Sequence, residues 1–126
     1  MSLFPHQLVD VAKGLQYLHI CDVIHGDLKG VRVWSSSTFA ILPINTLQPN
    51  ILIDASNCAR ITDFGLAQSQ EMLYQTTMSY GHTARWTAPE ILDGEGWVNK
   101  QTDVFSFSMV MIEVHQRENR FAPTAD

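Results

Sequence analysis

The sequence predicts a mainly α-helical fold with one small β-hairpin, an α+β arrangement, and three stretches predict it. Residues 5–19 carry apolar side chains at helical spacing, and residues 102–115 are apolar nearly all round. Between them, Ile51–Ile53 and Ala59–Thr62 are short strand-like runs separated by the turn-forming Asp54–Asn57.

Composition bounds what such a fold can do. The chain has 126 residues, 45% apolar and 17% charged, enough for one domain with a modest core. Its formal net charge is −5, without the basic footprint of a nucleic-acid binder or a lysine/arginine run for a membrane surface. Cys21 and Cys58 lack metal-ligand spacing and read as small buried residues in a reducing compartment. The N-terminus does not read as a signal peptide, and no apolar run is long enough to span a bilayer. A cytoplasmic location is expected. Nothing in the sequence speaks to oligomeric state.

In residues 5–19, Leu8, Val11, Ala12, Leu15, Leu18 and His19 fall on one face of an amphipathic helix. Pro5 suits a first turn, and Gly14 permits close packing at some cost in helix stability. Val23 and Ile24 predict a short buried strand entering the polar turn HGDLKG at 25–30. Val31–Gln48 follows with a single charge, Arg32, and no period of 2 or 3.6, so it suits neither a solvated loop nor a regular element. After the hairpin, residues 66–87 are polar and irregular, a long loop of the kind that is usually functional. APEILDGEG predicts a short helix ending in glycines. The helix at 102–115 is expected to start on Thr102 or Asp103 as N-cap and to lie buried at the centre.

The motifs give these elements a chemistry. HGDLK at 25–29, Asn50, DFG at 63–65, APE at 88–90 and DVFSF at 103–107 occur in one order along the chain. Singly each is weak; together they resemble the protein kinase family, over nearly the whole chain apart from Val31–Gln48 and the tail. The resemblance implies part of the large, mostly helical kinase lobe, spanning residues 1–126. It implies ATP- and Mg²⁺-dependent phosphoryl transfer to serine or threonine hydroxyls of proteins, a reaction that asks mainly for positioning and charge stabilisation.

By this resemblance Asp27 is the catalytic base, and Lys29 neutralises the transferring phosphoryl group. Asn50 and Asp63 match the two Mg²⁺ ligands, hard oxygen donors of the kind Mg²⁺ takes. Thr83 matches the threonine that contacts the catalytic aspartate in serine/threonine kinases, and Arg85-Trp86 resembles the tyrosine-kinase-like branch. Asp103 matches the aspartate that holds the catalytic-loop backbone. Phe64 and Gly65 complete the DFG turn. Thr76, Thr77, Ser79 and Tyr80 are candidate phosphosites, although an unmodified polar loop residue is the better reading of each alone.

The sequence departs from the family pattern in three places. Gly26 stands where the family's H-R-D has arginine, which puts in doubt a switch operated by a phosphorylated activation loop. The 126 residues contain no G-x-G-x-x-G loop and no strand lysine, so they are expected to bind ATP poorly and to have little or no kinase activity by themselves. Met1 starts almost directly at the first helix, which suggests that no small lobe precedes it.

The third departure is Val31–Gln48, which lengthens the stretch between Asp27 and Asn50 from four residues to twenty-two. The added closure entropy is only about 1.5 kcal/mol. Geometry is the larger concern, because a floppy segment would not hold Asp27 and Asn50 to the roughly 0.5 Å that catalysis demands. Trp34, Phe39, Ile41 and Leu42 would also need cover. Val31 requires a codon beginning GT and Gln48 accepts CAG, the usual intron boundaries, so residues 31–48 read as a retained intron. Two rival readings stand beside an active kinase: a non-catalytic, pseudokinase-like interaction module, and a gene-model fragment.

Overall fold

The computed structural model describes residues 5–30, 32–33, 50–63, 68–69 and 84–121. Helix α1, Pro5–Ile20, lies along a hairpin of β3, Ile51–Ile53, and β4, Ala59–Ile61. The apolar period of α1 explains the docking: Val11 and Leu15 are buried and Leu8 packs beside them. Ala12, placed on the same face by its spacing, is exposed instead. A Cβ built on Gly14 would stand 3.2 Å from Ile61 Cδ1, so the glycine lets the helix approach the sheet closely. Polar links complete the contact. Asp10 Oδ2 accepts from the Ala59 N–H at 3.2 Å, and the buried Gln7 donates to Asn57 Oδ1 at 2.6 Å.

The hairpin pairs Ile51 with Ile61, Leu52 with Arg60 and Ile53 with Ala59. Alternation puts Ile51 and Ile53 into the core and leaves Leu52 half-buried. Asp54 makes the turn: its Oδ1 accepts from the N–H groups of Ser56 and Cys58, both at 2.9 Å, and its Oδ2 accepts from Arg60 Nε at 3.0 Å. The Cys58 amide first, then the Arg60 side chain, hold the Asp54 carboxyl below its ordinary value of 3.8. The folded group is therefore the stronger acid. Its contribution to the turn is present above the ordinary value and is lost as pH falls through the lower folded value. In an NMR titration the Asp54 carboxyl should have its midpoint below that of an unfolded peptide; coincident midpoints would dismiss the cap.

Two pairings were not legible in the sequence. Strand β1, Val23–Ile24, pairs antiparallel with β5, Gln68–Ser69, which lies in the stretch expected to be loop. Strand β2, Arg32–Val33, pairs in parallel with β3, setting Arg32 opposite Leu52 and Val33 opposite Ile53. The stretch Val31–Gln48 thus contributes a regular element after all, because the free edge of β3 offers backbone partners to any adjacent chain. Trp34, Phe39, Ile41 and Leu42 lie outside the described residues.

A 3-10 turn, Ala84–Trp86, leads into the short helix α2, Pro89–Leu92, which closes on Asp93 and on Gly94 at φ +72°. Helix α3, Lys100–Phe121, is longer than its apolar stretch predicts, and its cap is Asn99 rather than Thr102 or Asp103. Asn99 Oδ1 accepts from the Thr102 N–H and Thr102 Oγ1 stands 2.9 Å from the Asn99 nitrogen, a reciprocal box that puts Thr102 and Asp103 inside the first turn.

Val110 and Val114 of α3 join Leu28, Trp86 and the inner residues of α1 and the hairpin in one core. Part of the helix departs from the buried position expected of it. Val104 is 55% exposed and Ile112 48%, because the described residues cover α3 on one side only. No helix among the described residues is long and apolar enough to cross a membrane.

Candidate active site

The turn HGDLKG runs between β1 and β2 and is shaped from three sides. From below, the Asp103 carboxylate of α3, 1% exposed, accepts from the His25 N–H (Oδ2) and the Gly26 N–H (Oδ1), both at 2.9 Å. Gly26 has φ +80°, a conformation that costs glycine little and other residues more. From the end of α1, His19 Nε2 meets Asp103 Oδ2 at 2.8 Å. The helical period places His19 on an apolar face. Its ring instead helps satisfy the buried carboxylate, and only its chemistry as a hydrogen-bonding side chain signals that in the sequence.

From the hairpin side, His25 is fully buried. Its Nδ1 accepts from the Asp27 N–H at 3.2 Å and its Nε2 lies 3.1 Å from the Thr62 carbonyl. An accepting Nδ1 leaves the proton on Nε2, which donates to Thr62. Thr62 in turn donates its N–H to the Asn50 carbonyl at 2.7 Å, so the loop and the end of β4 are stitched through Asn50.

Asn50, 0% exposed, is the third side. Its Oδ1 accepts from the Lys29 N–H at 2.8 Å, its own N–H donates to the Lys29 carbonyl at 3.0 Å, and its Nδ2 donates to the Asp27 carbonyl. Despite the twenty-two residues between them, Asp27 and Asn50 are held together by hydrogen bonds from one buried amide, which answers the geometric concern raised by the sequence. The entropic term of about 1.5 kcal/mol is small beside three such bonds at about 1 kcal/mol each.

The half-buried Asp27 and Lys29 side chains pair at 2.9 Å. Asp63 directly follows Thr62, exposes its side chain and has φ +62°. Thr83, Phe64, Gly65 and the four candidate phosphosites lie outside the described residues.

The donor set decides what metal chemistry fits. No group of three or more His, Cys, Asp or Glu that could cage an ion occurs among the described residues. Mg²⁺ rarely uses such a cage; it takes one or two protein oxygens together with phosphate and water. The exposed Asp63 carboxylate suits that role. Asn50 Oδ1 retains one lone pair beyond its bond to Lys29, room for a secondary ligand at most.

Known proteins share this sequence pattern. Residues 46–124 match the family model described as protein tyrosine and serine/threonine kinase. Over 124 residues, 98% of the chain, it is 35% identical to the mitogen-activated protein kinase kinase kinase dlk-1 of Caenorhabditis elegans, covering 11% of that protein. It is 36% identical over 117 residues, 90% of the chain, to the probable serine/threonine-protein kinase drkC of Dictyostelium discoideum, covering 13% of it. Mouse mitogen-activated protein kinase kinase kinase 13 is 33% identical over 118 residues, 90% of the chain and 10% of that protein. The chain thus spans about a tenth of the length of these curated relatives.

Proposed function

This chain belongs to the protein tyrosine and serine/threonine kinase family, and on that premise we propose that it carries the catalytic-loop part of an ATP- and Mg²⁺-dependent kinase acting on protein serine or threonine hydroxyls. The observation that carries the reading is the Asn50 side chain bonded to the backbone of both Asp27 and Lys29. It brings together residues that phosphoryl transfer needs in one place, and they are far apart in sequence.

In this reading Asp27 accepts a hydrogen bond from the substrate hydroxyl and takes its proton as the hydroxyl oxygen bonds to the γ-phosphorus and the bond to ADP breaks. Lys29, 2.9 Å from Asp27, swings its ammonium toward the transferring phosphoryl oxygens. Asp63, with Asn50 in support, would hold Mg²⁺, which would offset phosphate charge. By the family resemblance Thr83 would favour serine and threonine. The free cysteines Cys21 and Cys58 accord with a cytoplasmic location.

The 126 residues lack a glycine-rich phosphate loop, so the activity expected of them alone is weak or absent. Incubation with Mg-ATP and a serine-rich protein should give weak phosphate transfer at most, and Asp27→Asn should reduce what there is by about 10²–10⁴-fold. Transfer unaffected by Asp27→Asn would reject the assignment. A non-catalytic interaction module is the second reading, favoured by the complete burial of Asn50. It predicts metal-independent partner binding that Asp63→Ala leaves unchanged.

We further propose that residues 31–48 are a retained intron within a partial kinase domain spanning 1–126. Excision would restore the four-residue spacing between Asp27 and Asn50. Sequencing the mature transcript across Gly30–Pro49 tests this: the eighteen codons should be absent from most molecules, and their presence in abundance would overturn it.

A further inference from the structure

Trp86, Thr87 and Ala88 share with Gly26, Asp27 and Leu28 the walls of a cavity of about 20 Å³, room for one water. The stretch leading into α2 therefore lies against the catalytic loop. The Trp86 indole is buried in the core alongside Leu28 and Val110, and its backbone is tied to α3 by the serine of the 103–107 motif, a residue given no role so far. Ser106 Oγ donates to the Trp86 carbonyl at 2.7 Å, and the same oxygen stands 3.0 Å from the Thr102 carbonyl one turn back on its own helix.

A serine hydroxyl has one proton. It serves the Trp86 carbonyl or the Thr102 carbonyl at full strength, not both. The second choice is the ordinary back-bond of a helical serine, available whatever the rest of the chain does. The shorter distance favours Trp86. A rotation about one side-chain bond therefore separates a state in which residues 86–88 are fastened to α3 from one in which they are not.

We propose that Ser106 is a positioning residue for phosphoryl transfer: by donating to the Trp86 carbonyl it sets how closely residues 86–88 stand to Asp27, and so how a protein substrate is seated. The consequence for substrate rests on the kinase reading; the fastening itself does not.

Hydrogen exchange on the 126-residue chain tests the fastening. The Thr87, Ile91 and Leu92 amides are bonded to Ala84 and Ala88 carbonyls and so report on this stretch. In Ser106→Ala they should exchange about fivefold to tenfold faster, while Ile51–Ile61 amides keep their rates. Ser106→Thr, which keeps the hydroxyl, should restore the slow rates. Unchanged exchange in the alanine variant, acceleration spread over the hairpin, or a threonine variant that behaves like alanine would each overturn the proposal.

With Mg-ATP and a serine-containing peptide, Ser106→Ala should raise KM for the peptide several-fold and leave KM for ATP and kcat within about twofold. A change in kcat alone would overturn the positioning role. If the unsubstituted chain transfers no phosphate, the exchange result alone decides whether Ser106 positions residues 86–88.

Discussion

Asp103→Ala should lower the unfolding free energy by about 3–5 kcal/mol, the largest loss expected from any single side chain described. The carboxylate is 1% exposed and serves three donors: the His25 and Gly26 amides and the His19 ring. Alanine leaves all three without that acceptor inside the protein, and each buried orphan costs about 1–3 kcal/mol. Asp103→Asn should cost less, since one side-chain oxygen still accepts from an amide while the new amino group faces a donor. Urea unfolding measures both. A loss under about 1 kcal/mol for alanine would mean that the loop holds its shape without the carboxylate. His19→Ala, which removes one donor and leaves the backbone bonds, should fall below either.

Asn50→Ala comes second, with an expected loss of about 2–4 kcal/mol. It removes the acceptor of the Lys29 N–H and the donor to the Asp27 carbonyl at a fully buried position. The more telling variant is Asn50→Asp. It keeps an acceptor for Lys29 but points a carboxylate oxygen at the Asp27 carbonyl, so it should destabilise nearly as much as alanine. If Asn50 mattered only as a metal ligand, aspartate would be tolerated in urea unfolding without metal. The two outcomes separate a strut from a ligand.

Much of this was legible in the sequence because it rests on local rules. The helical period of residues 5–19 gave α1, and the β-branched runs about Asp54–Asn57 gave the hairpin to within a residue. Motif order placed Asp27, Lys29 and Asn50 in one site, and hydrogen bonds or an ion pair link these three. What escaped was non-local or very short. Strands β2 and β5 have two residues each, too few for any period to register. The start of α3 was misplaced because Thr102 and Asp103 both look like caps; Asn99, three residues before Thr102, is the one whose side chain accepts from a first-turn amide. An apolar run reports that a helix wants burial, not that its neighbours supply it, which is why Val104 and Ile112 stand exposed. The roles of His19 and Ser106 depend on partners 84 and 20 residues away.

The bonds from Asp103 to the catalytic loop also fix an order of assembly. His25 and Asp103 are 78 residues apart, and Gly26 and Asp103 are 77. Helix α1 and the hairpin contain contacts that form early in synthesis, but the His25 and Gly26 amides do not meet the Asp103 carboxylate until α3 has emerged and docked. Long-range closure of this kind is slow compared with helix and hairpin formation. On the ribosome the fold should therefore appear first as a helix against a hairpin, with the start of the loop at His25 and Gly26 the last part to be tied down.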